Sequence, residues 1–278
     1  MRLIADSGAT KTDWVIIQAD NEIRSAQTLG FNPYFIGSEG ILEELEKNLY
    51  PFLDNDKVKE VFFYGAGCST PKNCDIVTTA LEDFFGNADI FVEHDLLGAA
   101  RSLCGHHEGI ACILGTGSNS CYFDGKEIRE NVASLGFVLA DEGSGAYMGK
   151  HLIRDFFLGE MPSEIRTKFE NKYQLTLEKA LDAVYNKPHP NRYLASFTYF
   201  LSENMNEPYI SNLVKTSFRD FFRFQVKKYS KYKSIPLSAV GSIAFYFMDT
   251  FREIATEEGL KIQKIIQTPI EGLVKFHL

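Results

Sequence analysis

Cysteine is sparse in this sequence: five in 278 residues, at positions 68, 74, 104, 112 and 121. No two of them have the C-x-x-C spacing, so neither a disulfide framework nor a zinc site is indicated. No run of 18 apolar residues occurs, which argues against a helical membrane span. The opening Met1-Arg2-Leu3-Ile4-Ala5-Asp6 meets an acid before any stretch suited to a signal peptide. Basic residues are in deficit, with 29 Lys and Arg against 37 Asp and Glu, a net charge of −8. An acidic chain argues against nucleic acid and anionic membrane as partners, since both ask for a basic patch. It leaves small anionic ligands open, because local backbone dipoles bind those. A linker or low-complexity segment is also missing, so two domains are expected to share a close interface. Together these absences predict a reduced, cytoplasmic protein.

The length suits about two domains, long enough to bury sizeable cores without staples. Leu3-Ile4-Ala5 reads as a strand that breaks at Asp6-Ser7-Gly8-Ala9-Thr10. Trp14-Val15-Ile16-Ile17 is a second strand, Ala19-Asp20-Asn21 a turn, and Glu22-Ile23-Arg24 opens a third. Ile41, Leu42, Leu45 and Leu49 recur at helical spacing. Apolar runs at 60–64 and 90–93 predict buried strands, each followed by a helix, the second over 95–103. The order is β-β-β-α-β-α-β-α, and it restarts at Ile110. A strand there breaks at Gly115-Thr116-Gly117-Ser118-Asn119, a second strand follows, and Asp124-Gly125 predicts a two-residue hairpin turn. Glu127-Ile128-Arg129 then repeats Glu22-Ile23-Arg24 at the same place on the meander, about 105 residues on. This pattern indicates an internal duplication. Residues 143–232 read as mostly helical. In Phe218–Tyr229 the amphipathic reading, with Phe218, Phe221, Phe222 and Val226 buried, is preferred to nucleic-acid binding. A strand at 235–240, a helix at 243–258, a strand at 262–267 and a terminal helix at 269–276 close the chain.

Two turns carry the chemistry. In Asp6-x-Gly8-x-Thr10-Lys11-Thr12, Gly8 lets the backbone turn and approach a ligand, and exposed N–H groups make an anion nest. Thr10, Lys11 and Thr12 add donors suited to phosphate, and Asp6 suits Mg²⁺, directly or through water. Gly115-Thr116-Gly117-Ser118-Asn119 is the matching turn of the second half. Equivalent turns of duplicated units are expected to face one another across a cleft, a natural grip for a polyphosphate. Asp95 begins a helix after a strand. It reads either as an N-cap or as a carboxylate that takes a proton from an attacking hydroxyl, and both roles are compatible. Asp141-Glu142-Gly143-Ser144-Gly145 is either a charged cap or a carboxylate for a substrate hydroxyl or a metal-bound water. Gly241-Ser242 is either strand-to-helix packing or a backbone platform for an adenosine. Ser144–His151 fails as a P-loop, because Ser stands for its first Gly and His for its closing Ser/Thr. His106-His107 reads as a solvated loop.

These pieces together resemble the N-acetylglucosamine kinase / BadF-BadG-BcrA-BcrD ATPase group of the actin-like sugar kinases. The resemblance rests on Asp6–Thr12, Asn32 after Gly30-Phe31, Asp95 in Glu93-His94-Asp95, Gly115–Asn119, Asp141–Gly145 and the ending Pro269–Lys275. It implies an α/β fold of two ribonuclease-H-like domains around a deep cleft. The first would span 1–107, rejoined by 269–278, and the second 108–268. It implies ATP and Mg²⁺ at the two turns, through Gly8, Thr10, Lys11, Thr12, Gly115, Thr116, Ser118 and Asn119, with Gly241 and Ser242 at the adenosine. It implies Asp95 as base for a sugar 6-hydroxyl, with Asn32, Thr116, Gly117 and Asp141 at sugar-contact positions. A homodimer through the second domain would follow the family habit. Two departures stand out: the family's usual Gly-Gly is here Gly241-Ser242, and its Gly-Gly-Trp-Gly segment reads Ala133-Ser134-Leu135-Gly136-Phe137. The implied activity is phosphorylation of an amino sugar, N-acetylglucosamine first, then N-acetylmuramic acid or glucosamine. The rivals are an activator ATPase of the 2-hydroxyacyl-CoA dehydratase type and a non-catalytic sugar or nucleotide sensor.

Overall fold

A computed structural model describes residues 1–278 apart from Ala9, Asn21 and 54–56. Ala9 of the first glycine turn and Asn21 of the following turn therefore lie outside the described residues. The chain divides into two units, Met1–His106 with Pro269–Leu278, and His107–Thr268.

In the first unit, β1 (Arg2–Ser7), β2 (Lys11–Ile17) and β3 (Ile23–Leu29) form the meander. Helix α1 (Ser38–Asn48), β4 (Glu60–Gly65), α2 (Pro71–Phe85), β5 (Asp89–His94) and α3 (Asp95–Cys104) follow. The sheet order is β3-β2-β1-β4-β5, with β1 antiparallel to β2 and parallel to β4. Central strand β1 reads apolar at three successive positions because the sheet is covered on both faces. Leu3 and Ala5 pack with Trp14, Phe31, Phe63 and the apolar faces of α1 and α2. Ile4 packs on the other side with Val15, Tyr64 and Leu273 of the terminal helix.

The second unit repeats the plan with β6 (Gly109–Leu114), β7 (Ser118–Phe123) and β8 (Ile128–Asn131). The helices α4 (Gly136–Leu139), α5 (Gly145–Leu158), α6 (Ser163–Tyr173), α7 (Leu177–Tyr185), α8 (Pro190–Ser196), α9 (Thr198–Glu203) and α10 (Pro208–Phe224) come next. Then follow β9 (Leu237–Val240), α11 (Ser242–Tyr246), α12 (Met248–Glu257) and β10 (Ile262–Ile266). The sheet order is β10-β9-β6-β7-β8, the order of the first sheet with equivalent strands. The duplication is thus topological as well as sequential. The terminal helix α13 (Ile270–His277) belongs to the first unit.

Phe218, Phe221, Phe222 and Val226 are fully buried, which fits the amphipathic reading of that segment. Two local expectations are corrected. Phe123 pairs with Ile128, so the β7–β8 loop holds four residues rather than two. Asp124 makes the difference, because its carboxylate accepts the N–H groups of Lys126 and Glu127 and stabilises the wider turn. The helix expected over 243–258 is two helices, broken at Phe247, whose backbone (φ −110°, ψ 28°) leaves the helical region. Among the described residues no helix is long and apolar enough to cross a membrane.

Candidate functional site

The first unit gathers its candidate residues at the carboxyl ends of β1, β4 and β5. The turn after β1 closes through Gly8 N–H to the Lys11 carbonyl at 2.9 Å. A Cβ at Gly8 would meet nothing nearer than that carbonyl, at 3.7 Å. The fold therefore does not require glycine here, and the open space beside it is left for something else. Behind the turn runs a buried chain of hydroxyls. Phe31 N–H donates to Ser7 Oγ (2.9 Å), Ser7 lies 2.8 Å from Thr12 Oγ1, and Thr12 donates to the Leu29 carbonyl (2.9 Å). Since the Thr12 proton goes to Leu29, Ser7 donates to Thr12. The Thr12 hydroxyl is thus committed to tying β1, β2 and β3 together. Thr10 is exposed, and exposed Lys11 pairs with Asp13 at 2.7 Å.

Asp95 is the first residue of α3, not its cap. His94 holds the capping position with extended backbone and no side-chain bond. The backbone N–H groups of Asp95 itself and of Leu96, at the positive end of the helix, favour the charged carboxylate. Burial outweighs them and pushes the group up to about 6. Asp6 rises further, to about 7, through burial and then the charges of Asp95 and Asp13, with Lys11 opposing. Asp6, a buried carboxylate with little compensating charge, is a hard-oxygen donor that suits a divalent cation. Asn32 sits against the β4–α2 loop. Its Oδ1 accepts the Tyr34 N–H at 3.0 Å, and a Cβ on Gly67 would lie 2.5 Å from it. The same loop ties back to β1 through Ala66 N–H to the Ser7 carbonyl at 2.8 Å. Sequence reading carried no contact to this Gly65-Ala66-Gly67-Cys68 loop. Its only signal was a Gly-rich close to a buried strand.

The second unit builds its turn differently. The carbonyls of Gly115 and Thr116 accept the N–H groups of Gly145 and Ala146 at 2.9 and 3.0 Å, so the turn and the start of α5 are one piece. Ser144 caps that helix, its hydroxyl accepting the Tyr147 N–H at 3.1 Å. A Cβ at Gly115 would find open space, with no neighbour within 4 Å, so here too the fold does not demand glycine. Asp141 is buried, with a left-handed backbone (φ 64°) that a non-glycine residue adopts at a cost. Its carboxylate accepts the Ser118 N–H and lies 2.9 Å from where a Gly117 Cβ would stand. Burial raises Asp141, with the Ser118 bond opposing. Glu142 has one buried carboxylate oxygen, Oε2, without a partner among the described residues. That orphaned acceptor was missed as a site candidate, although it was in view within the Asp-Glu-Gly motif.

The Ser118 hydroxyl donates to the Glu142 carbonyl at 2.8 Å, and Asn119 Oδ1 accepts from Ser120 N–H and Asn131 at 2.9 and 3.2 Å. These two side chains hold the turn to its neighbours. Gly241 has φ 121°, and a Cβ there would stand 2.3 Å from the Leu114 carbonyl oxygen. It is therefore demanded by the fold, and it brings the end of β9 against the start of the glycine turn. Ser242 beside it is exposed and opens α11. Leu135, in the segment that departs from the family pattern, is 56% exposed, so it is not spent on the core.

No protein-family model matches this chain, and neither does any curated protein. Among solved structures, it is similar to a candidate N-acetylglucosamine kinase from Porphyromonas gingivalis. The identity is 41% over 100% of this chain and 98% of that one, with a TM-score of 0.94. A second candidate N-acetylglucosamine kinase, from Chromobacterium violaceum, is 15% identical over 100% and 98% of the two chains, TM-score 0.64. A ROK family glucokinase from Streptomyces griseus, solved with glucose and AMPPNP, is 15% identical over 99% and 97%, TM-score 0.55. The last two show a shared fold. From the first, this chain belongs to the N-acetylglucosamine kinase family of the actin-like sugar kinases, phosphotransferases whose acceptor is an alcohol group.

Proposed function

We propose that this chain transfers the γ-phosphoryl group of ATP to the 6-hydroxyl of an amino sugar, N-acetylglucosamine before N-acetylmuramic acid or glucosamine. The observation that carries the reading is Asp95, a carboxylate buried at the carboxyl end of β5 and the start of α3, and raised to about 6. Its relative from Porphyromonas gingivalis supports the choice of sugar by its name. The first unit would bear the sugar and the first phosphate turn. The second would bear the other turn and the adenosine site beside Gly241 and Ser242.

Phosphoryl transfer needs positioning and charge neutralisation more than covalent help. Asn32, Asp141, Thr116 and Gly117 orient the sugar, and Glu142 Oε2 offers a further acceptor for a hydroxyl. The 6-hydroxyl donates its proton to Asp95 as its oxygen bonds to the γ-phosphorus, and the bond to the departing ADP oxygen breaks. Backbone groups at Gly8 and Gly115 approach the polyphosphate through the space those glycines leave. Thr10 and Lys11 add donors. The Lys11–Asp13 pair is solvent-exposed and worth about 0–1 kcal/mol, so turning Lys11 to a phosphate costs little. Mg²⁺ fits at Asp6, where, when bound, it would neutralise charge on the phosphoryl oxygens.

The activator-ATPase alternative gains nothing from the cysteines. Cys68 is buried with its thiol pushed up to about 12 by burial, and Cys74 donates its S–H to the Cys68 carbonyl. The deciding experiment is coupled ADP release with ATP-Mg²⁺ and N-acetylglucosamine, N-acetylmuramic acid, glucosamine or glucose, against a blank without sugar. Strong release with an N-acetyl sugar alone is expected. Equal release in every sample, blank included, would overturn the kinase reading.

A further inference from the structure

We infer that the second unit carries a pocket for a neutral polyol of monosaccharide size, built on facing stripes of α5 and α10. The inference does not depend on the proposed acceptor site. The cavity measures about 200 Å³. That is below the ~300–1,000 Å³ of sites for drug-sized ligands, so its occupant is small.

On α5 the stripe runs through Tyr147, His151 and Asp155, and on α10 through Tyr209, Leu213, Ser217 and Asp220. These spacings put each set on one helix face. A seam between packed helices is ordinarily apolar, and this one is polar and aromatic instead. Two crossed hydrogen bonds brace it. Tyr147 donates to Asp220 and Tyr209 donates to Asp155, each at 2.9 Å. Burial, and then the neighbouring carboxylate, raises both phenols, so they remain neutral donors and hold the two helices at a fixed spacing.

The floor contains an unmet requirement. Ser217 is 2% exposed, lines the cavity, and its hydroxyl has no partner among the described residues. A buried hydroxyl without a hydrogen bond is costly, and an occupant with a hydroxyl of its own would satisfy it. The charges select the class. Arg154 is paired with Asp155 at 2.7 Å, so its positive charge is already answered. Asp220 faces the cavity with a phenol rather than a cation as its partner. His151 is held towards its neutral form by burial and by Arg154 and Lys150. The lining is therefore mildly acidic and repels phosphates and carboxylates. Both carboxylates already have partners, Asp155 in Arg154 and Tyr209, and Asp220 in Tyr147, so a metal ion is a poorer match than a hydroxyl. Hydroxyl groups suit it, because they donate to carboxylates and exchange hydrogen bonds with serine and imidazole. The Tyr209 ring and Leu213 supply an apolar wall for the C–H face of a sugar ring.

The test titrates the full chain calorimetrically, without nucleotide, using N-acetylglucosamine, glucosamine and glucose in turn, and inorganic phosphate. It is run in an Asn32→Ala background, where the proposed acceptor site is weakened, so that the two readings fail separately. Saturable binding of at least one sugar, and none of phosphate, is expected. Asp220→Asn and Asn212→Tyr, the latter placing a ring at the exposed rim, should each weaken that binding by about tenfold or more. Absent sugar binding, an affinity that either variant leaves unchanged, or phosphate bound in place of sugar would overturn the inference.

Discussion

Asp95 has a usual carboxylate pKa of 3.8 in water and about 6 in this fold, because burial penalises its charge more than two N–H groups reward it. A base nearer neutrality takes a proton more readily. Asp95→Asn keeps the shape and removes the basicity. ATP affinity should be unchanged while turnover falls by about 10² to 10⁴ in steady-state assays. Near-normal turnover would remove Asp95 from the reaction. Thr12 belongs to a different category. Its hydroxyl ends a relay from Phe31 through Ser7 to Leu29 with no exposure to solvent. Thr12→Val leaves the buried Ser7 hydroxyl without its acceptor, while the Leu29 carbonyl keeps the Thr28 hydroxyl, and should cost about 1–3 kcal/mol. The readout is the urea midpoint of unfolding, and an unshifted midpoint would mean that the relay is dispensable.

At the level of elements, the second glycine turn and the start of α5 form one assembly. The turn's carbonyls cap the helix, Ser144 caps it again, and Asp141 reaches back to the Ser118 N–H. Gly241 presses the end of β9 against that assembly. Alanine at 241 would combine a positive φ with a Cβ 2.3 Å from the Leu114 oxygen. Backbone strain of this sort costs about 1–3 kcal/mol. The displacement falls on the residue before Gly115, so Gly241→Ala should lower the melting temperature and also raise the KM for ATP. A variant that melts as the parent does would show that the β9 end moves freely.

At the level of the whole molecule, the last ten residues return to the first unit and finish it. Leu273 is buried on its sheet, and His277 stacks on Phe62 with ring centroids 3.9 Å apart. His277 Nε2 meets the Tyr64 hydroxyl at 2.8 Å, and Arg2 donates to the His277 carbonyl. Burial, and then the charges of Arg101 and Arg2, push His277 down to about 4 from an ordinary 6.5, with Glu60 opposing. A depressed histidine favours the folded state while it stays neutral. That contribution is complete above pH 6.5 and is lost as pH falls towards 4. The urea midpoint should therefore drop between pH 7 and pH 5, and drop less in His277→Phe. An equal fall in both proteins would assign the acid sensitivity to other groups.

Strand and helix order, the duplication and the two glycine turns were legible in the sequence, because period, turn chemistry and repeats are local properties of the chain. Asp95 at a helix start after a strand was legible for the same reason. The internal partners of the Thr12, Ser118 and Asn119 side chains were not. A hydroxyl or amide reads alike whether it faces a ligand or another strand, and its partner depends on which distant segments meet it. The Gly65–Cys68 loop, the orphaned Glu142 oxygen and the braced cavity between α5 and α10 arise in the same way, from side chains distant in sequence. Composition and pattern decided what this chain folds into, and tertiary packing decided which of its polar groups remain available to a ligand.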